Sequence, residues 1–198
     1  MSLPQIIGIT GCKFNGKDTM ADYIVKKYGY EKMSVADPLK NICKILFGFN
    51  DEQLYGSKKE VVDDRWGVTP RDMLQYIGTD MFRKMMGKKI PELNKNDEGG
   101  FWVKCLTEQI KIKLKTNPSC KIIIPDIRFQ NELDAIKKLN NNLIIRIKRP
   151  SIINKDFHES EKNIDTFKVD CEILNDTTLD ELYTKINNIL EPIKSSKN

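Results

Sequence analysis

Residues 5–19 read QIIGITGCKFNGKDT. The first six form a continuous apolar run that ends in a glycine-bearing turn, which is typical of a parallel strand buried on both faces. After Gly16 the apolar residues Met20, Ile24 and Tyr28 recur at helical spacing. The stretch therefore predicts a strand, a glycine-rich turn and a helix in direct succession.

The turn matches the pattern GxxxxGK, with an aspartate where a serine or threonine usually follows the lysine. Glycines let backbone N–H groups turn toward a phosphate, and the positive end of the helix points to the same place. Lys17 would reach the β- and γ-phosphates of ATP, and the hydroxyl for Mg²⁺ would come from Thr19. A chance match is the alternative, but the flanking strand and helix favour a true phosphate loop. The predicted ATP-binding residues here are Gly11, Lys13, Asn15, Gly16, Lys17, Asp18 and Thr19.

Strand and helix patterns alternate along the rest of the chain. Further strands are predicted at residues 30–35, 121–125, 143–147 and 171–174, and helices at 38–47, 70–86, 103–114, 133–139 and 179–190. Residues 51–67 are polar and poorly periodic, and we expect mostly loop there. The alternation predicts an α/β fold with a mainly parallel sheet of five strands. Ligands of such sheets bind at the carboxyl ends of the strands, where Thr10, Asp126 and Arg149 fall.

Bulk composition excludes several classes of protein. The length of 198 residues suits a single domain, 1–198, and the net charge of +5 is too mild for a nucleic-acid coat. Five cysteines without CxxC spacing argue against a disulfide framework or zinc cluster and favour a reducing compartment. No apolar run approaches the ~20 residues of a membrane span, and residues 1–5 lack the charged start of a signal peptide. We expect a cytoplasmic protein without membrane or nucleic-acid partners.

Six blocks of the sequence, spread over residues 5–190, resemble the phage-type deoxynucleoside monophosphate kinases. Residues 101–104 (FWVK) are similar to one step of that family, and residues 47–71 look shorter than in its best-known phage members. The remaining similar blocks are GKDT at 16–19, ADPLK at 36–40, TPRDMLQYIGTD at 69–80, IPDIR at 124–128 followed by ELDA at 132–135, and Arg149-Pro150 before His158 and Glu161. The QxxGTD and PDxR parts are the most specific.

The resemblance implies a P-loop kinase-type three-layer sandwich that transfers the γ-phosphate of ATP to a deoxynucleoside monophosphate (dNMP), with Mg²⁺ as cofactor. It implies a lid at about residues 150–163, with Arg149 over the adenine or a phosphate, and a possible homodimer. Lys17, Asp126 and Arg128 would be catalytic. The implied substrate-binding residues are Lys40, Arg71, Gln75, Gly78, Thr79, Asp80, Trp102, Asp126, Arg128 and Glu132.

Several of these residues have a structural alternative. Asp126 can cap the following helix, and Arg128 can form a surface ion pair with Glu132 four residues on. Trp102 begins an amphipathic helix, where tryptophan is more often core than a stacking face. Arg71 can be solvated, and Arg149 can belong to a solvated basic loop. We expect a structural or accessory role for His158.

Two other functions compete with the nucleotide kinase. An animal-type phosphomevalonate kinase also resembles the chain at GKD, at a Pro-Leu-Lys step and at a strand-end Asp-x-Arg. The second rival is a nucleotide-binding accessory protein without turnover, which the unusual Asp18 keeps open. The QxxGTD and FWVK steps favour the nucleotide kinase, and the preferred base is not readable from the sequence.

Overall fold

A parallel sheet of five strands organises the structure, a computed structural model that describes residues 3–93, 100–152 and 163–195. Contacts divide the chain into two compact units. The sheet unit comprises Met1–Ser34 and Gln109–Asn198, and the helical unit comprises Val35–Glu108. That the chain is a single domain stays a prediction.

All five strands of the sheet run parallel, in the order β2-β3-β1-β4-β5. The first strand, β1, is central because it pairs with β3 on one side and β4 on the other. The predicted parallel sheet is therefore confirmed, although the strand expected at residues 30–35 shrinks to two residues. The strands are β1 Ile6–Thr10, β2 Glu31–Lys32, β3 Ile122–Ile127, β4 Asn142–Lys148 and β5 Cys171–Leu174.

Both faces of the sheet are buried, as the unbroken apolar strands predict. Helix α1 (Lys17–Tyr28) and the last helix, Leu179–Ser195, pack on one face, where Ile24 and Ile186 join one core cluster with alternate strand residues. On the other face the strand residues Ile6 and Ile144 are equally inaccessible. A further helix, Gln130–Lys137, contacts β4. The three-layer α/β arrangement is thus confirmed.

The helical unit is built from short helices around a small apolar cluster. Cys43, Phe49, Leu54, Leu74 and Ile77 form the buried centre of this cluster. The elements are α2 Asp37–Phe47, α3 Asp51–Tyr55, α4 Pro70–Gln75, a π-helical segment Tyr76–Met86, α5 Gly87–Lys89, and 3₁₀ turns at Ser57–Glu60 and Pro91–Leu93. Helix α6 (Phe101–Thr116) begins in this unit and ends in the sheet unit; Gln130–Lys137 is α7, and Leu179–Ser195 is α8.

The expectation of mostly loop at residues 51–67 was wrong for its first half. Asn50 caps α3 by accepting from the backbone N–H of Gln53, whose side chain accepts in return from Asn50. Such a reciprocal cap satisfies the first amides of a helix too short to show periodicity. The helix predicted at 70–86 is α-helical only to Gln75 and continues as a π-helix.

No helix within the described ranges is long and apolar enough to cross a membrane. All five cysteines lie in those ranges and are present as thiols. Most of the predicted lid, residues 153–162 with His158, lies outside the described residues.

Candidate active site

The glycine-rich turn after β1 is shaped by three residues with positive φ, namely Gly11 (152°), Phe14 (67°) and Gly16 (99°). A Cβ on Gly11 would lie 2.4 Å from the backbone oxygen of Ile147, so only glycine fits beside β4. Helix α1 begins at Lys17 without a side-chain hydrogen bond from its N-cap residue Gly16. The first N–H groups of a helix have no intrahelical partner, and this end carries a partial positive charge. This geometry is that of an anion-binding loop, as the motif predicts.

Lys17 is the buried cation of the loop, with only 7% of its surface exposed. Its Nζ donates hydrogen bonds to the backbone oxygens of Gly11 at 2.7 Å and Cys12 at 3.0 Å. It also lies 3.5 Å from Oδ1 of Asp126. The ammonium group is thus held over the loop, where a bound phosphate oxygen would be placed.

Asp126 is the next-to-last residue of β3 and has two differently placed carboxylate oxygens. Oδ2 accepts a hydrogen bond from Nε of Arg128 at 2.6 Å. Oδ1 is buried and accepts no hydrogen bond from the described part of the chain, with Lys17 as its ion-pair partner. A buried carboxylate oxygen in this state is suited to a cation or to an ordered water.

These residues fit the way proteins hold Mg²⁺. The ion keeps several waters and takes only one or two protein oxygens together with the substrate phosphates. Asp126 offers one oxygen, and the Thr19 hydroxyl lies exposed in the first turn of α1. Within residues 3–93, 100–152 and 163–195, no group of three or more His, Cys, Asp or Glu side chains could hold a metal ion. Mg²⁺ would therefore need water and the substrate phosphates as further ligands.

Glu132 serves the start of α7. Its Oε2 accepts from the backbone N–H groups of Arg128 at 2.8 Å and Phe129 at 3.2 Å. A carboxylate at this position also complements the helix dipole. The capping role that was the alternative for Asp126 therefore belongs to Glu132, and Asp126 is directed at Lys17 and Arg128.

A cleft of about 650 Å³ opens over the phosphate loop within the sheet unit. It gathers eight residues that the sequence predicted: Lys13, Gly16, Lys17, Asp18, Thr19, Asp126, Arg128 and Arg149. Gly11 and Asn15 shape the loop, and Asn15 donates from its side chain to the backbone oxygen of Ile147 at 3.1 Å. The volume is within the ordinary range for a small-molecule site.

Sequence reasoning missed two polar residues of this cleft, Asn175 and Thr177. Asn175 directly follows β5 and Thr177 lies two residues further on, so both stand near a strand's carboxyl end as Asp126 and Arg149 do. The strand-end rule would have found them. The segment Asn175-Asp176-Thr177-Thr178 contains no motif, glycine or arginine that would indicate a binding role.

The predicted acceptor residues of the helical unit have local partners there. Arg71 pairs with Glu60 on the surface, and Lys40 lies over the ring of Tyr55, 3.6 Å from its centroid. Asp80 pairs with Lys84 at 2.8 Å. Gln75 is exposed and Thr79 is half-buried. Their binding roles stay predictions.

Trp102 and Gly78 are tied to each other. The indole is only 3% exposed, donates from Nε1 to the Gly78 backbone oxygen at 2.8 Å, and packs against Phe82 and Phe101. A Cβ on Gly78 would lie 2.6 Å from Cδ2 of Leu39. The close approach that this glycine predicted is thus made by Leu39, and the packing of Trp102 favours its core interpretation.

Comparison with known structures shows the fold. The dephospho-CoA kinase of Campylobacter jejuni is 15% identical, covers 98% of this chain and 99% of its own, and superposes with a TM-score of 0.52. The shikimate kinase of Aquifex aeolicus is 14% identical with corresponding coverages of 98% and 99%, and a TM-score of 0.50. Both are kinases by name, in keeping with the predicted P-loop kinase fold.

Sequence comparisons are more specific. A protein of Acanthamoeba polyphaga mimivirus, named as a deoxynucleotide monophosphate kinase, is 42% identical over 188 residues, 91% of this chain and 93% of its own length. The deoxynucleotide monophosphate kinase of Enterobacteria phage T4 is 23% identical over 253 aligned positions, covering 94% of this chain and 99% of the phage protein. Because that alignment is longer than the chain, the phage protein carries residues that this one lacks.

A family model, described as deoxynucleotide monophosphate kinase, matches residues 48–186. The match spans most of the chain and includes the QxxGTD and PDxR blocks on which the resemblance depended. It confirms the nucleotide-kinase resemblance and gives no support to the phosphomevalonate alternative. The chain belongs to the deoxynucleotide monophosphate kinase family.

Proposed function

We propose that the protein transfers the γ-phosphate of ATP to the phosphate of a dNMP and releases a deoxynucleoside diphosphate and ADP. The observation that carries the proposal is the buried Lys17 ammonium, 3.5 Å from Asp126 in a cleft at the strand ends. Phosphoryl transfer needs positioning and charge neutralisation rather than covalent catalysis, and these groups supply both.

The donor phosphates bind to the glycine-rich loop. Backbone N–H groups between Lys13 and Thr19 surround the β-phosphate, and Lys17 exchanges its bonds to the Gly11 and Cys12 oxygens for phosphate oxygens. Arg149 lies at the same cleft and binds the adenine or a phosphate. These contacts hold the γ-phosphorus in line for attack by the acceptor.

Thr19 and Asp126 are the residues that would hold Mg²⁺, Asp126 directly or through water. The ion supplies charge neutralisation for the donor phosphate oxygens when bound. Asp126 also keeps Arg128 in place through the 2.6 Å bond to its Nε. The outer nitrogens of the guanidinium fork then engage the acceptor phosphate, whose oxygen forms the new bond as the bond from the γ-phosphorus to the β-phosphate's bridging oxygen breaks.

Acceptor contacts beyond Arg128, including the one predicted for the helix-capping Glu132, rest on the resemblance. In the helical unit they are assigned to Lys40, Arg71, Gln75, Gly78, Thr79, Asp80 and Trp102. For Gly78 and Trp102 the described contacts support an indirect role, in which their hydrogen bond shapes the segment that carries Thr79 and Asp80.

The setting that we propose is intracellular, reducing and cytoplasmic, with ATP and a dNMP as partners and a homodimer as the assembly. Five thiols without a disulfide support the reducing compartment. The mild net charge of +5 supports small anionic ligands rather than a nucleic-acid polymer.

A steady-state assay of ADP release tests the function. The purified chain is incubated with Mg-ATP and each of the four dNMPs in turn, with phosphomevalonate and water as alternative acceptors. We expect ADP release that depends on a dNMP and gives the matching diphosphate. Equal rates with phosphomevalonate would refute the nucleotide assignment, and ATP binding without turnover on any acceptor would favour the accessory protein.

A further inference from the structure

Asn175 is the first residue after β5 and lines the cleft over the phosphate loop. Its backbone N–H donates to the backbone oxygen of Lys148 at 2.7 Å, which extends the pairing of β5 with β4 by one bond. The Cα of Asn175 is therefore fixed by the sheet, and its side chain starts from a rigid support.

The Asn175 side chain binds the phosphate loop itself. Nδ2 donates to the backbone oxygen of Asn15 at 3.0 Å. Because a carbonyl oxygen can only accept, this contact also fixes which way the amide points. The opposite orientation would place Oδ1 against the Asn15 oxygen and lose the bond.

The same amide fills the space beside Gly16. A Cβ on Gly16 would lie 2.7 Å from Nδ2 of Asn175, and Gly16 has a φ of +99° that other residues rarely adopt. Asn175 thus contacts the Asn15–Gly16 peptide at both ends, through a hydrogen bond at the carbonyl and through packing at the glycine Cα.

A second amide hydrogen bond holds the same stretch of the loop. Asn15 donates from its own Nδ2 to the backbone oxygen of Ile147 at 3.1 Å. Both bonds lead to the end of β4, one directly and one through Asn175 and Lys148. The peptide that they fix immediately precedes Lys17 and the first N–H groups of α1.

We infer that Asn175 is a positioning residue for the donor phosphates, which acts through the Asn15–Gly16 peptide. This inference rests on the proposed function and extends it to a residue on the β5–α8 loop. With the bond in place, the loop N–H groups and Lys17 converge on one point, which is where the transferring phosphate requires them. Without the bond from Asn175 to the Asn15 oxygen, the Asn15–Gly16 peptide can rotate, and the phosphate loop must adopt its binding conformation again in each turnover.

The test uses two variants that separate the hydrogen bond from the packing. Asn175→Leu keeps the branched shape beside Gly16 but removes the donor, whereas Asn175→Ala removes both. For each we expect kcat to fall roughly 10- to 100-fold, which is the effect of small misplacements at reacting groups. The KM for ATP should rise by a smaller factor, and the KM for the dNMP should stay within about twofold, a change equal to a few tenths of a kcal/mol.

Asp176→Asn is the matched control on the same loop. It removes an exposed ion pair with Lys185, 2.7 Å long, and leaves the cleft unaltered. We expect its kinetics and melting temperature to match the wild type. Melting curves of all three variants with and without ATP report whether the fold and the donor site persist.

Two results would overturn the inference. One is a kcat within about twofold of wild type for both Asn175 variants. Such a change in activation free energy is smaller than the contribution of one hydrogen bond. The other is a parallel loss of ATP and dNMP affinity with a lower melting temperature, which indicates a general structural role. A Lys17→Ala enzyme measured alongside keeps the proposals apart. If that variant stays active, the proposed donor site fails; if it is inactive and the Asn175 variants are normal, only this inference fails.

Discussion

Lys17 and Asp126 form an ion pair, 3.5 Å from Nζ to Oδ1, that joins the phosphate loop to the end of β3. The two residues are 109 positions apart in the sequence and meet because β1 and β3 are neighbouring parallel strands. The Lys17 side chain is almost inaccessible, while about a third of the Asp126 side chain is exposed to the cleft. The charges of Lys17 and Asp126 therefore act on any ligand that binds in the cleft.

Replacing Lys17 with alanine should abolish most turnover without unfolding the protein. The lysine binds loop carbonyls rather than core side chains, so its loss removes a cation from the phosphates. Contacts to developing charge contribute about 3–4 kcal/mol, and we expect kcat to fall roughly 10²- to 10³-fold. Lys26→Ala, at an exposed position of α1 away from the cleft, serves as the control and should keep a kcat close to that of the wild type. Retention of more than about a tenth of wild-type kcat by Lys17→Ala would mean that the donor site is misassigned.

Asp126→Asn tests whether this carboxylate serves the metal. The amide keeps the size and can still accept from Arg128, but it cannot neutralise Lys17 or attract a cation strongly. We expect kcat to fall about 10- to 100-fold, and the Mg²⁺ concentration for half-maximal activity to rise several-fold. Titration of activity against Mg²⁺ at saturating ATP measures both. An unchanged Mg²⁺ requirement beside a reduced kcat would assign Asp126 to Lys17 and Arg128 alone.

The sheet and the phosphate loop were predictable because each depends on a local pattern. The segments at 6–9 and 122–125 are apolar at every position, which is typical of parallel strands buried on both faces. The motif GxxxxGK fixes a turn geometry that the structure reproduces at Gly11 and Gly16. Because ligands bind at the carboxyl ends of parallel strands, Asp126 and Arg149 are predictable members of one cleft.

Features that depend on non-local contacts were not predictable. The position of Asn175 after β5 is enough to predict that it lies at the cleft, but no local pattern indicates its hydrogen bond to Asn15, 160 residues away. Helix α3 has only five residues, fewer than two turns, so no periodicity could reveal it. Trp102 and Gly78 belong to the FWVK and QxxGTD blocks, but the sequence does not indicate that their side chain and backbone form a hydrogen bond with each other.

The buried carboxylate of Asp63 should make the helical unit sensitive to acid. Arg65 donates to both of its oxygens, and Gln53 donates at 2.7 Å, which together hold the pKa of Asp63 well below its ordinary value. A carboxyl whose folded pKa is lowered stabilises the fold above its unfolded pKa of about 3.9, and this contribution is lost as the pH falls further. Asp63→Asn should therefore melt on the order of 5 °C lower at pH 7.

The comparison of pH values is the decisive part of this test. Between pH 7 and pH 5 the gap in melting temperature between wild type and Asp63→Asn should stay constant. Below about pH 4 this gap in melting temperature should narrow, because the wild type then loses the stabilisation by the ionised Asp63 carboxylate, which the variant lacks at every pH. Asp64→Asn, at the exposed neighbouring position, is the control, and at pH 7 its melting temperature should match that of the wild type. A gap that is constant down to pH 2.5 would contradict the assignment.

Gly78 and Leu39 should be coupled energetically. A Cβ at Gly78 meets Leu39 Cδ2 at 2.6 Å, so Gly78→Ala should lower the melting temperature although alanine is the better helix former. In a Leu39→Ala background the space is open, and the same substitution should be neutral or stabilising. A coupling of about 1 kcal/mol or more in this double-mutant cycle is expected. If Gly78→Ala instead raises only the KM for the dNMP, the glycine serves the substrate.

Arg128 tests where the acceptor phosphate binds. Its Nε donates to Asp126, which holds the guanidinium group at the cleft, and a guanidinium fork matches the geometry of a phosphate. Arg128→Lys keeps the charge but loses the fork, and we expect kcat/KM for the dNMP to fall about 10-fold or more; Arg128→Ala should lower it further. The dissociation constant of ATP, measured by calorimetry, should change little in both variants. Lost ATP affinity with intact acceptor affinity would assign Arg128 to the donor side. Unchanged kinetics in both variants would favour the surface ion pair with Glu132, the structural alternative that the sequence left open for Arg128.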